Sequence, residues 1–370
     1  MATNPSTAPA REQELLEAAR AGDQDAFPRL VEPYRAELHA HCYRMLGSVH
    51  DAEDALQDAL LRAWRGIARF EGRSSLRSWL YTIATNTCLN VIARRPKRVL
   101  PLDYTDASDP HDGPGRPLAE TVWIEPYPDV SVGLQDGLAA PEARYEMRES
   151  VELAFVAAIQ HLPANQRAAL ILREVLGFSA KEVAESLETT VASVNSALQR
   201  ARKTIDEHIP ERTQQATLRA LGDEKLREIV DNYMEAMQSG DVERVVGMLA
   251  EDAAWSMPPL ASWFRGDDLP DFLRIGPLSG EYRWRHVPTR ANGQLAVGCY
   301  TWHEAENAYL PFALDVFTLE GDRIKEVTAF IARSPHGDSE LFARWPDAPP
   351  DPAAVELIFL RRGLPERLEA

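Results

Sequence analysis

The sequence predicts a multidomain protein: two all-α domains, the second built on a helix-turn-helix, joined by an acidic linker and followed by an α+β domain. Three observations point there. Glu12 to Arg98 and residues 145–208 keep helical periodicity with no strand-like run. Residues 99–144 combine seven prolines and nine acids with few aliphatics. After Asp223 a helical stretch gives way to long alternating runs, EYRWRHVPTRANGQLAVGCYTW and FALDVFTLEGDRIKEVTAFIA, with turns at Asn292-Gly293 and Glu320-Gly321-Asp322. The expected boundaries are a disordered lead at 1–10, helical domain 11–98, linker 99–144, helix-turn-helix domain 145–212, α+β domain 213–345 with a curved antiparallel sheet, and tail 346–370.

Charge separates these parts. The formal charge of −17 divides into +2 over residues 1–98, −7 over 99–144, −2 over 145–212 and −10 over 213–370. A pI near 5.0 excludes a uniformly nucleic-acid-coated protein. Cys42, Cys88 and Cys299 are odd in number, far apart and lack CxxC spacing, which excludes a disulfide framework or zinc ribbon. The first residues lack a signal-peptide pattern and no stretch reaches the ~18 apolar residues of a membrane span, so a cytoplasmic protein is expected.

The first domain holds two readable helices. In DAEDALQDALLRAWRGI, residues 51–67, Leu56, Leu60, Ala63, Trp64 and Ile67 form a core face, while Asp54, Gln57, Asp58 and Leu61 share another. An apolar Leu61 among acids suits protein docking. The following stretch, RFEGRSSLRSWLYTIATN, concentrates cations and rings in an acidic chain. Arg69, Arg73 and Arg77 suit phosphate contacts, and Arg94, Arg95, Lys97 and Arg98 extend the cationic track. Phe70, Trp79 and Tyr81 suit stacking on unpaired bases, and Asn86 suits a base edge. Trp79, Thr82, Asn86 and Asn90 share a face away from the aliphatic stripe Leu80, Ile83, Ala84, Thr87, Cys88 and Val91.

Residues 179–204 read as two helices joined by a tight turn. Val183, Ala184 and Leu187 face Val194, Ala197 and Leu198, with Val191 in the turn. The outward residues of the second helix, Ser193, Asn195, Ser196, Gln199, Arg200, Arg202 and Lys203, are the hydrogen-bonding and cationic types that read a major groove.

The two segments DAEDALQDALLRAWRGIARFEGRSSLRSWLYTIATNTCLNVIARR and LPANQRAALILREVLGFSAKEVAESLETTVASVNSALQRARKTI, in this order with a linker between, resemble the sigma-70-type RNA polymerase sigma factors of the extracytoplasmic-function group. The resemblance covers about residues 12–208. It implies sigma region 2 at 11–98 and region 4 at 145–212. Asp54, Gln57, Asp58, Leu61 and Arg62 would dock on core RNA polymerase. Arg69, Phe70, Arg73, Arg77, Trp79, Tyr81, Thr82, Asn86, Arg94 and Arg95 would open promoter DNA and hold it as single strand. The 192–204 helix would read the more distant duplex element. The acidic linker would lie in the polymerase's positively charged channel until RNA displaces it.

The chain continues well past the point where the shortest members of that group end. Residues 223–333 resemble a SnoaL-like domain, a cone of helices over a curved sheet. Tyr233, Trp255, Trp284, His286, Tyr300 and Asp315 are the candidate ligand-pocket residues, with His303 beside them, and a packed interior is the plainer expectation. The tail VELIFLRRGL is expected as a short apolar helix folding back on the sigma portion.

The expected function is promoter-specific initiation with core RNA polymerase, modulated by internal contacts of the C-terminal domain. No catalytic residue, cofactor or metal is expected, and an anti-sigma partner is left open. The alternative is an enzyme or ligand sensor acting through the cone with a DNA-targeting front. A repressor binding duplex without polymerase is disfavoured by the net charge.

Overall fold

The computed structural model describes residues 8–113, 115, 117–118, 123–129, 150–207, 213–333 and 349–370. Two compact units emerge, one from residues up to Arg95 with Ile159–Glu207, the other from Pro96–Ala158 with residues from His208 onward. The expected lead at 1–10 falls partly outside the described residues, and residues 8–10 already belong to the first helix.

In the first unit the helices are α1 (Ala8–Arg20), α2 (Ala26–Leu46), α3 (Val49–Gly66) and α4 (Leu76–Ile92). Their ends are set by side chains that satisfy orphan backbone groups. Ser48 Oγ accepts from Asp51 N at 3.0 Å to start α3, and Ser75 Oγ accepts from Ser78 N at 3.0 Å to start α4. One of the tandem serines is therefore a helix cap. Gly47, at φ 68, closes α2 in a conformation that favours glycine.

After α5 (Leu153–Gln160) come α6 (Ala164–Leu170), continued by a π-helical turn at Ile171–Val175, then α7 (Ala180–Ser186) and α8 (Val191–Asp206). A capping box between Ser179 and Glu182 starts α7, and Thr190 caps α8. Buried Arg167 fastens this segment to α2: its guanidinium donates to Met45 O at 2.5 Å and to Gln160 Oε1 at 2.6 Å, while Gln160 donates to Arg44 O at 3.0 Å. Burial lowers the Arg167 pKa to about 10, which still leaves it charged at neutral pH.

The second unit is built on a six-stranded sheet, comprising β1 (Leu249–Ser256), β2 (Trp263–Arg265), β3 (Trp284–Ala291), β4 (Gln294–His303), β5 (Ala308–Glu320) and β6 (Arg323–Ile331). The order is β2-β1-β6-β5-β4-β3. The sheet is mixed rather than purely antiparallel, because β1 runs parallel to β6. The helices are α9 (Gln214–Ser239), kinked at Gly222 where φ is 76, α10 (Val242–Met248) and α11 (Leu269–Ile275). Side chains of α9, α10 and α11 share one apolar core with inward residues of the strands, including Tyr233, Trp255, Phe272, Val297 and Phe317.

Several of the described linker residues pack on the sheet domain. Trp123, Ile124 and Tyr127 are only 3%, 1% and 0% exposed. Trp123 Nε1 donates to Pro259 O at 2.9 Å, Trp263 Nε1 donates to Thr105 O at 2.9 Å, and Tyr127 and Asn292 exchange bonds of 2.7 and 2.9 Å. Arg98, placed in the cationic track by sequence, is buried and donates to Trp123 O. Proline-rich composition removes backbone donors, yet three large apolar side chains suffice to anchor such a segment on an apolar surface. The tail likewise seats on the sheet domain. Its helix α12 (Pro352–Ile358) leads to Phe359, whose ring meets Tyr300 at 5.2 Å, and Leu368 pairs with Tyr309 through two 2.9 Å hydrogen bonds.

Among the described residues no helix is long and apolar enough to cross a membrane.

Candidate nucleic-acid interface and cone interior

On α3 the buried stripe Ala52, Ala55, Leu56, Ala59 and Ala63 turns Asp54, Gln57, Asp58, Leu61 and Arg62 outward together. Leu61 is 47% exposed. His50 stands 3.8 Å from Asp54 on the same surface.

The arginine-and-ring stretch divides. Arg69, Arg73, Arg94 and Arg95 are exposed. Arg73 pairs with Glu71 at 2.5 Å and Arg95 pairs with Asp51. Arg77 is half-buried, pairs with Glu37 at 3.1 Å and lies over the rings of Tyr81 and Phe178, each 4.9 Å away. Trp79 is half-buried, its ring 4.9 Å from that of Phe70 and close over Gly66. Thr82 Oγ1 donates to Ser78 O, and Asn86 is partly exposed. Two ring assignments need correction. Phe70 is 7% exposed and Tyr81 1%, with Tyr81 Oη donating to Glu37 at 3.1 Å. Both rings are core, and of the three only Trp79 is partly exposed.

Along α8, Val194, Leu198 and Ala201 are buried. Ser193, Asn195, Ser196, Gln199, Arg200, Arg202 and Lys203 are all exposed. Arg202 pairs with Glu174, Nε at 2.7 Å. Val191, placed in the turn by sequence, is instead the first residue of α8 and 43% exposed. The signal was its position: the residue after the Thr190 cap lies on the outer side of the first turn.

In the second unit Tyr233 of α9 packs with Trp255, Trp284, His286 and Asp315 of the strands. Asp315 Oδ2 accepts from Tyr233 Oη at 2.7 Å and from Cys299 Sγ at 3.2 Å. His286 sits opposite Cys299 in the β3–β4 register, stacks on Trp284 at 6.0 Å and meets the edge of Tyr233 at 6.5 Å. Tyr300 does not join them. It faces the other side of the sheet, where Tyr300 Oη donates to Pro365 O at 2.9 Å. Alternation along β4 sends Cys299 and Tyr300 to opposite faces. Among the described residues no cluster of His, Cys, Asp and Glu has the makings of a metal site.

Burial pushes the Asp315 carboxyl up to about 6 and the His286 imidazole down to about 3. The folded chain therefore holds the Asp315 proton between about pH 4 and 6, where the unfolded chain has lost it. Stability from this group is present below that window and is lost as pH rises through about 6. Asp315→Asn is expected to raise stability at pH 7.5 by up to roughly 3 kcal/mol and to change little near pH 4. Thermal melts at the two pH values check this, and an equal shift at both would contradict it.

Comparisons with known proteins agree with the two-part helical portion. A family profile described as Sigma-70 region 2 matches residues 30–98, and one described as Sigma-70, region 4 matches residues 152–205. The ECF RNA polymerase sigma factor SigG of Mycobacterium tuberculosis is 40% identical over 328 residues, covering 88% of this chain and 84% of that one. The RNA polymerase sigma-H factor of Pseudomonas aeruginosa is 33% identical over 196 residues, 53% of this chain and 92% of its own. Among solved structures, the Mycobacterium tuberculosis extracytoplasmic function sigma factor SigJ covers 81% of this chain and 94% of its own at a TM-score of 0.50 and 24% identity, a likeness of fold.

Proposed function

The chain belongs to the extracytoplasmic-function RNA polymerase sigma factors, and from that membership we infer how its surfaces divide the work of transcription initiation. It binds core RNA polymerase and promoter DNA and directs initiation; it is not an enzyme. The 40% identity extending over 328 residues carries this conclusion, because it spans all the domains rather than one motif. Its work is done in the cytoplasm, with the polymerase.

The outward face of α3, Asp54, Gln57, Asp58, Leu61 and Arg62, docks on the polymerase. The exposed arginines Arg69, Arg73, Arg94 and Arg95 hold the backbone of separated strands, and Trp79 receives a base beside Thr82 and Asn86. Unpairing and unstacking cost a few kcal/mol per base, and stacking returns about 1–3. Polymerase binding supplies the remainder, so the free factor opens DNA poorly. In the first unit Arg77 and Tyr81 lie against Phe178, and Arg167 ties α6 to α2. Promoter binding therefore requires these contacts to loosen, so that α4 and α8 reach separate elements.

The face of α8 reads the duplex element. Gln199 and Arg200 supply hydrogen bonds to base edges or phosphate, and the exposed Val191 offers methyl groups to a thymine. Arg200→Ala is expected to weaken the upstream element by roughly 1–3 kcal/mol, read by electrophoretic mobility of holoenzyme on a duplex probe. Unchanged affinity would remove Arg200 from the readout.

The C-terminal SnoaL-like domain modulates activity by holding the linker. Trp123→Ala removes the Trp123 Nε1 bond and a fully buried ring. It is expected to free the linker for the polymerase channel and to raise protease cleavage near residue 123. Cleavage equal to that of the unaltered chain would count against a docked linker.

A further inference from the structure

We propose that Arg283 and Arg285, held on the rings of Trp302 and Tyr309, form a further DNA contact on the C-terminal domain. It takes the phosphate backbone of duplex DNA without reading sequence, and it rests on the reading of the chain as an initiation factor. The four side chains lie on the sheet face that carries Tyr300. Arg285 stands opposite Tyr300 in the β3–β4 register, and Trp302, two residues on from Tyr300, stands opposite Tyr309 in the β4–β5 register. Trp302 N donates to Arg283 O at 3.0 Å, which brings Arg283 alongside Trp302. The Arg283 guanidinium lies 4.9 Å from the centre of the Trp302 ring, and that of Arg285 lies 5.5 Å from Tyr309. The two rings meet edge to face at 5.2 Å.

Both arginines are exposed, and among the described residues neither has a carboxylate partner. That sets them apart in an acidic domain, where Lys225, Arg244 and Arg274 pair with Glu228, Glu235 and Glu243 at 3.1, 2.7 and 2.5 Å. Glu281 and Glu304 are exposed and close in sequence to these residues, yet neither pairs with them. Stacking on a ring fixes the guanidinium plane and leaves its edge N–H groups to bond an incoming phosphate. No ion pair has to break first. Trp284, between the two arginines, is buried in the core. The arginines therefore share the outer face, about 6.8 Å apart along the strand, or two steps of the ~3.4 Å phosphate repeat. Tyr309 is 6% exposed and Trp302 lies under Arg283, so the site offers charge rather than an open ring for an unpaired base. Contacts of that kind hold a duplex by its backbone and carry no sequence information.

The test uses holoenzyme assembled from core RNA polymerase and the full chain, with a mapped promoter duplex as probe, and follows affinity from about 50 to 200 mM salt. Each phosphate neutralised adds a slope of about −0.9 in log affinity against log salt. R283Q/R285Q is therefore expected to flatten the slope by roughly 2, so that its deficit is roughly tenfold larger at the low-salt end than at the high-salt end. The same change is expected on a duplex of unrelated sequence. R283K/R285K keeps both charges and is expected to retain the slope; if it loses the slope as the glutamine pair does, packing rather than charge is responsible and the proposal is overturned. Arg227→Gln, an exposed arginine of α9 that donates to Asp223 O, is expected to leave the slope unchanged. An equal flattening there reflects net charge alone and overturns the site. So does normal promoter binding with an unchanged slope in R283Q/R285Q. Failure of the unaltered holoenzyme to bind the promoter removes instead the reading on which the proposal rests. A loss confined to single-stranded probes overturns the assignment to duplex.

Discussion

Asp58→Arg is expected to weaken assembly with core RNA polymerase at least roughly thirtyfold while leaving the fold intact. Asp58 is exposed on α3, one turn from both Asp54 and Leu61. If the proposed docking face is right, reversing a charge at its centre both deletes an attraction and adds a repulsion, worth about 2–5 kcal/mol, or roughly thirtyfold to several-thousandfold in affinity. Because the side chain contributes nothing to the buried stripe of α3, helical content and melting temperature should be unchanged. Fluorescence anisotropy of labelled protein titrated with core polymerase reads the effect. Retained affinity would move the docking face elsewhere on the molecule.

Trp79→Ala should separate polymerase binding from promoter opening. The ring is half-buried, rests against Phe70 and passes close over Gly66. Its removal would forfeit the proposed base stacking, about 1–3 kcal/mol, so opening should fall roughly tenfold while core binding stays within about threefold. Permanganate reactivity of promoter thymines in the holoenzyme complex reads opening. Phe70→Ala serves as the contrasting variant: its ring is buried, so it should lower stability by about 3–5 kcal/mol instead. Unchanged melting in Trp79→Ala would sink the stacking assignment.

The helical half was legible because its periodicity is set by local burial. Of the stripe Leu80, Ile83, Ala84, Thr87, Cys88 and Val91, four residues are buried as the spacing of α4 demands, while Ile83 and Val91 are half-buried. The same spacing contained the correction to Tyr81, which stands three and seven residues before Ala84 and Cys88 and so shares their buried side. Reading the rings by chemical type rather than by helix face obscured this. Tyr300 follows the same logic in a strand, where its neighbour Cys299 already occupies the side facing Asp315. The docking of the linker was not legible in the sequence for a different reason. Composition reports an average, and docking depends on a few large side chains. Trp123 and Ile124 are large apolar side chains, but the surface that receives them, including Pro259 and Trp263, lies more than 130 residues away in sequence. The tail similarly takes its partners from β4 and β5, an association no local pattern encodes.

The most direct measurement is run-off transcription with purified core RNA polymerase on promoters mapped after forced expression of this chain. Transcripts that start at those promoters only when the full chain is added are the predicted result. Failure of the purified chain to associate with core polymerase, or transcription no greater than core alone, would contradict the assignment of α3, α4 and α8 to initiation.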